Sequence, residues 1–208
     1  ILKFFLMANT QPRVNSLFNT YMAYFENTDL ANDLEKYILS LQSIGIESNI
    51  ATKIKHNLEE SKFNFFKRDE EVIKKSMNYF AGCLKLLLNN LYEEDSAYRI
   101  NYVDSWYHIG SKYSVHHVHK HPGCSWCGVF YVNPGDMSSG NTVFLSPINS
   151  DFKDYGNKYL FDNEALAVQP KIGQLVIFPS YLQHFQSLYE GDETRIVIAF
   201  NCAVYRNS

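Results

Sequence analysis

Residues 116–127 read HHVHKHPGCSWC, which puts four of the chain's seven histidines into six consecutive positions and two cysteines after them at CxxC spacing. On a strand, alternate side chains share a face, so His117, His119 and His121 are expected to project together while His116 projects oppositely. Two histidines one residue apart can chelate an ion and leave positions for a distant ligand. The plainer reading is a histidine-rich solvated edge. Outside the cluster stand His56, His108 and His184. His184 ends the run GQLVIFPSYLQH, just after a buried strand and a Pro-Ser turn, where sheet closure could deliver a third ligand.

Working outward, the chain after Tyr98 is a series of short β-branched and aromatic runs: YRINYVDSWYHI, CGVFYVN, NTVFL, QLVIF and RIVIAFNCAV. Turns such as NPGD and SSGN separate them. Several runs are apolar on both faces, which predicts layered or barrel burial. Residues 146–168 are polar and aromatic with weak periodicity and read as a long loop between strands, either a lid or a surface insertion. The first third is helical. Leu30, Leu34, Tyr37, Ile38 and Leu41 fall at helical spacing, with Gly45 as a stop. Ile73, Met77, Phe80, Leu84, Leu87 and Leu91 mark a second helix with Asp69 as its cap, packed on a sheet rather than in a coiled coil.

The totals agree with one globular domain. The chain has 208 residues, a net charge of −3 and fifteen each of Tyr and Phe, which suits strands and aromatic-lined pockets. That charge, with no basic patch, gives no case for nucleic acid or an anionic membrane. Cys83, Cys124, Cys127 and Cys202 are too few and scattered for a secreted disulfide scaffold. ILKFFLMA at the N-terminus lacks a signal peptide's layout, and no run approaches the roughly 18 apolar residues of a membrane span. A soluble, cytoplasmic protein is the expectation.

Arg195 opens RIVIAFN, with Val197 and Ala199 on its own face and Ile196, Ile198 and Phe200 on the other. A guanidinium heading a strand with two apolar faces is costly unless it meets an anion, and its planar fork suits a carboxylate. The bland alternative is an edge arginine facing solvent near Glu190, Asp192 and Glu193.

Taken together, HKHPGCSWCGVFYV, IGQLVIFPSYLQH and RIVIAFN resemble the Fe(II)/2-oxoglutarate-dependent dioxygenases. The likeness is to a poorly characterised HxHP branch with a prolyl-hydroxylase-like layout, common in bacteria and their viruses. It runs from about Ser105 to Ala203, and LFNTYMAYFEN weakly matches the family's opening strand. The resemblance implies a double-stranded β-helix (residues 98–208) behind an N-terminal strand and buttressing helices (residues 1–97), all in one domain. It implies His119, His121 and His184 as Fe(II) ligands, with His117 the fallback if the register slips. Arg195 would hold the distal carboxylate of 2-oxoglutarate, aided by Tyr131, whose alternative is ordinary core packing. The activity implied is O2-dependent hydroxylation of a C–H bond with release of succinate and CO2. The substrate, a small molecule or a peptide, stays unnamed, as does the oligomeric state.

Two departures stand out. Many relatives carry Asp or Glu where this chain has the second histidine, so metal affinity without co-substrate is expected to be weak. Relatives also often carry Ser two residues after the arginine, where this chain has Val197. The rival readings are a structural zinc module built from His119, His121, Cys124 and Cys127, and a three-histidine cupin-type enzyme that does not use 2-oxoglutarate.

Overall fold

The structure is a computed structural model describing residues 20–43, 57–92, 97–147 and 165–206. His56, Gly45 and residues 148–164 lie outside the described residues. The first described element is a short strand, β1 (Ala23–Glu26), within the segment LFNTYMAYFEN. The chain turns at Asn27 into helix α1 (Thr28–Ser43). The Asn27 side-chain oxygen accepts the Leu30 amide at 3.0 Å, satisfying an N–H that has no partner inside the helix. Leu30, Leu34, Ile38 and Leu41 are buried along one face, as the spacing predicts.

Strand β2 (Leu58–Glu60) precedes the second helix, α2 (Glu71–Leu91), which buries Ile73, Phe80, Leu84 and Leu87. Its start differs from expectation. Glu70, not Asp69, holds the cap position and does so through its backbone, accepting the Ile73 and Lys74 amides at 3.0 and 3.2 Å. With no side-chain cap, burial of the apolar face stabilises this helix.

The remaining strands are β3 (Tyr98–Gly110), β4 (His116–His119), β5 (Trp126–Asn133), β6 (Thr142–Leu145), β7 (Ala165–Val168), β8 (Gln174–Pro179), β9 (His184–Gln186) and β10 (Arg195–Arg206). They form two antiparallel sheets, β1-β8-β5-β10-β3-β2 and β4-β9-β6-β7. Among the described residues no strand belongs to both, so the jelly roll is an open sandwich and not a closed barrel. This is the double-stranded β-helix architecture, with the helices against the six-stranded sheet. Strand β7 corrects the reading of 146–168 as all loop. Ala165 to Val168 pair in register with Leu145 to Thr142, a partnership too short to show as alternation in the sequence.

The two apolar faces of the central strands serve two cores. Leu175 and Ile177 of β8, Phe130 and Val132 of β5, and Ile196, Ile198 and Phe200 of β10 pack towards the helices. Val176 and Phe178, Cys127 and Tyr131, and Val197 point between the sheets. Gly128 lets the Phe200 ring lie flat on β5, since an added Cβ would sit 2.2 Å from that ring. Gly128→Ala is expected to destabilise the fold by about 1–3 kcal/mol through overpacking, read as a lower urea midpoint at unchanged slope.

Candidate metal centre

The histidine strand does not keep a strict alternation. His119 pairs with His184 and His116 with Gln186, three steps on β4 against two on β9, so β4 carries a bulge. His117 and Val118 fall on the exposed side, and His116 turns inward with His119, their ring centroids 4.3 Å apart. Two expectations are thereby corrected. His116 does not face away, and His117 does not share the face of His119 and His121.

His119, His121 and His184 each bring one ring nitrogen into a group spanning at most 4.8 Å. Strand β4 and the turn after it supply the first two, and β9, directly paired with β4, supplies the third. The turn is pinned from three sides. Gly123 takes the positive φ (75°) that a reversal after Pro122 requires. Ser180 donates its hydroxyl to the Cys124 carbonyl at 2.7 Å, and the Ser125 amide reaches the Cys202 carbonyl at 2.8 Å.

The tautomers suit a cation. His119 donates from Nδ1 to the His117 carbonyl at 2.6 Å, and His184 from Nδ1 to the Leu182 carbonyl at 3.1 Å. A carbonyl only accepts, so both Nδ1 atoms carry the proton and both Nε2 atoms keep a lone pair. His121 Nε2 lies 3.3 Å from His184 Nε2, close to the roughly 3 Å that separates neighbouring donors about 2.1 Å from one ion. Burial first, and the neighbouring imidazoles second, hold His184 down to about 3 and His121 down to about 4. Burial lowers His119 as well. Neutral rings packed this closely present lone pairs rather than charges.

Arg195 shares the cavity lined by these histidines, together with Trp106, Thr142, Gln186, Val197 and Asn201. Its side chain is 2% exposed, and no carboxylate pairs with it among the described residues. It donates to Gln186 Oε1 at 2.9 Å and to the Gly140 carbonyl at 3.1 Å, while its Nε has no partner. Tyr131 lies under the guanidinium at 5.7 Å and donates its hydroxyl to Thr142 Oγ1 at 2.6 Å. Both residues singled out for the co-substrate are therefore together, though the tyrosine hydroxyl is turned to Thr142. A buried cation held only by neutral acceptors fits an incoming carboxylate, and three neutral nitrogen donors fit Fe(II). The residues present fit both groups.

Sequence reasoning missed Gln186, Thr142, Trp106 and Asn201. Gln186 was within reach, because it stands two residues after His184 and shares its face on β9. Trp106 Nε1 and Asn201 Oδ1 are buried without a hydrogen-bond partner and face this cavity, a donor and an acceptor available to a bound molecule.

The cysteine thiols are near the histidine group but not part of its donor set. Cys124 donates to the His121 carbonyl at 3.4 Å and lies 3.8 Å from the Cys127 sulfur, and no metal-competent group among the described residues includes either thiol. Cys124→Ser and Cys127→Ser are accordingly expected to leave metal content unchanged, checked by elemental analysis. Cys127→Ser should cost about 1–3 kcal/mol, because it places a hydroxyl in an apolar core.

A jelly roll whose paired strands gather three imidazoles and a buried arginine around one cavity defines the class: a metal-competent double-stranded β-helix protein. Residues 104–201, a little under half of the chain, match the family described as "Putative 2OG-Fe(II) oxygenase". No curated protein matches the sequence. A prolyl-4-hydroxylase from Pseudomonas putida is similar with a TM-score of 0.59 at 14% identity, over 86% of this chain and 91% of that one. HygX from Streptomyces hygroscopicus, solved with nickel and 2-oxoglutarate bound, gives 0.57 at 12% identity over 88% and 83%. The epimerase SnoN, in complex with Fe3+, alpha ketoglutarate and nogalamycin RO, gives 0.60 at 9% identity over 90% and 81%. At these identities the likeness is one of fold. No helix among the described residues is long and apolar enough to cross a membrane.

Proposed function

We propose that this protein is a 2-oxoglutarate-dependent dioxygenase that hydroxylates a C–H bond of a small molecule or peptide. His119, His121 and His184 hold Fe(II), and Arg195 binds the distal carboxylate of 2-oxoglutarate. The observation that carries the reading is the fully buried Arg195, without an acidic partner among the described residues, lining the same cavity as three converging imidazoles. A three-histidine enzyme with no use for 2-oxoglutarate gives no reason to bury that charge. A zinc module gives no reason for it either.

Held by these three histidines, Fe(II) would supply the oxidation chemistry, with O2 as the oxidant, 2-oxoglutarate giving succinate and CO2, and the substrate gaining one oxygen atom. The chain's own residues bind, orient and exclude. The Leu182 and His117 carbonyls fix two of the three rings, so their Nε2 lone pairs stay aimed inward. Arg195 gives the dianion a charge complement and a direction, exchanging Gln186 for a carboxylate. Phe178, Val197 and Ala199 on the cavity wall keep water away from the reacting centre. Trp106 Nε1 and Asn201 Oδ1 are the groups we assign to polar parts of the substrate.

The test is anaerobic loading with Fe(II), calorimetry with 2-oxoglutarate, then exposure to O2 with succinate and product mass measured over panels of amino acids, peptides, nucleosides and lipids. Succinate release coupled to gain of one oxygen atom by a panel member is expected. Isomerised product without that gain makes the protein an epimerase, and no 2-oxoglutarate binding removes the reading altogether.

A further inference from the structure

Beside the three-histidine group lies a second cluster of donors. Glu60 on β2, His108 on β3 and His116 on β4 bring a carboxylate oxygen and two ring nitrogens within 4.8 Å of one another. Glu60 stands directly across from His108 in the β2–β3 ladder, so the two side chains emerge on one face. Glu60 Oε2 lies 2.8 Å from His108 Nε2, and both residues are buried. The His116 ring centroid is 5.0 Å from that of His108.

A hydrogen-bonded carboxylate–imidazole pair would explain Glu60 and His108 alone. It does not explain His116, which the β4 bulge turns inward towards them, away from the exposed side where His117 and Val118 lie. Its ring nitrogens make no hydrogen bond among the described residues, and its ring is packed between those of His108 and His119. A spacing of 2.8 Å is also what two neighbouring ligands adopt at about 2.1 Å from one ion. Two imidazoles and a carboxylate with further positions open is a donor set that suits divalent iron or zinc. It also supplies the anionic ligand that the three-histidine group lacks.

We propose that Glu60, His108 and His116 hold a second divalent transition-metal ion, so that one cavity carries two metals. His108 and His116 line the same cavity as His119, His121 and His184, so the second ion sits in its wall. Its carboxylate offsets part of the ionic charge, and this site therefore fills without 2-oxoglutarate. The three-histidine site fills tightly only when the dianion arrives. The loading order rests on the function proposed above; the existence of the second site does not.

Anaerobic equilibrium dialysis against Co(II), with and without 2-oxoglutarate, tests this on the full chain. The parent is expected to bind one equivalent alone and a second with 2-oxoglutarate. Glu60→Gln and His116→Gln should each lose the first equivalent. His184→Gln should lose only the second. His116 is only partly buried, so its variant keeps the test open if Glu60→Gln fails to fold, and circular dichroism checks both. If folded His116→Gln binds as much Co(II) as the parent under both conditions, the second site is wrong, whatever His184→Gln does. Loss of cobalt in Glu60→Gln and His116→Gln with none in His184→Gln upholds the second site and removes the three-histidine assignment instead.

Discussion

His184→Ala is expected to weaken Fe(II) binding at the three-histidine site by more than about a hundredfold and to stop succinate release. Replacing a group that merely supports a ligand already costs about 10–100-fold in affinity, and His184 is assigned as a ligand itself. Strand β9 brings it to His119 by direct pairing, and its Nε2 faces His121 Nε2 at 3.3 Å. His119→Ala and His121→Ala should behave alike. The ring also packs against Phe178 at 4.8 Å and Phe144 at 5.7 Å, so truncation leaves a hole and lowers stability on the order of 2 kcal/mol. Binding is therefore measured by anaerobic titration in the presence of 2-oxoglutarate at low temperature, counting the second equivalent of metal, with folding checked by near-ultraviolet dichroism. His117→Ala is the control. Its side chain lies on the exposed side of the bulge, and full iron binding is expected. Parent-like binding by His184→Ala, or loss in His117→Ala, would overturn the ligand assignment.

Arg195→Met is expected to weaken 2-oxoglutarate binding by about 2–5 kcal/mol, roughly thirtyfold to several-thousandfold. Arg195→Lys keeps the charge but not the planar fork, so its loss should be smaller but clear. Stability should move the other way. Desolvation opposes the charged state of Arg195, and only neutral acceptors and the Tyr131 ring offset that cost. Replacing a buried charge by an apolar side chain of similar length is often neutral or stabilising by about 1–4 kcal/mol. Without 2-oxoglutarate, Arg195→Met should thus unfold at the same or a higher urea concentration than the parent. Calorimetry on protein loaded with a redox-inert divalent ion, beside urea curves, reads both signs. An arginine with a purely structural role would give the reverse, a destabilised fold with unchanged 2-oxoglutarate affinity.

The sequence by itself determined which residue types gather and on which strands. The two-faced apolar runs of β5, β8 and β10 required burial on both sides, and the structure gives each face its own core. Period-two spacing put Arg195 on the face of Val197, and His184 followed a strand buried on both sides. These are local properties, readable because a strand's alternation is fixed by its own backbone. The direction of His116 was not local. Alternation holds only while the ladder is unbroken, and the extra residue between His116 and His119 exists because β9 offers one residue fewer across the pair. Nor could Glu60 be found from the sequence. It sits on a three-residue strand with no periodic signal, and its meeting with His108 depends on β2 joining the far edge of the sheet. Tertiary structure also decided what Arg195 touches. Gln186, Gly140 and Tyr131 reach it from three other parts of the chain, because closing two sheets over one cavity brings residues together by topology rather than by spacing.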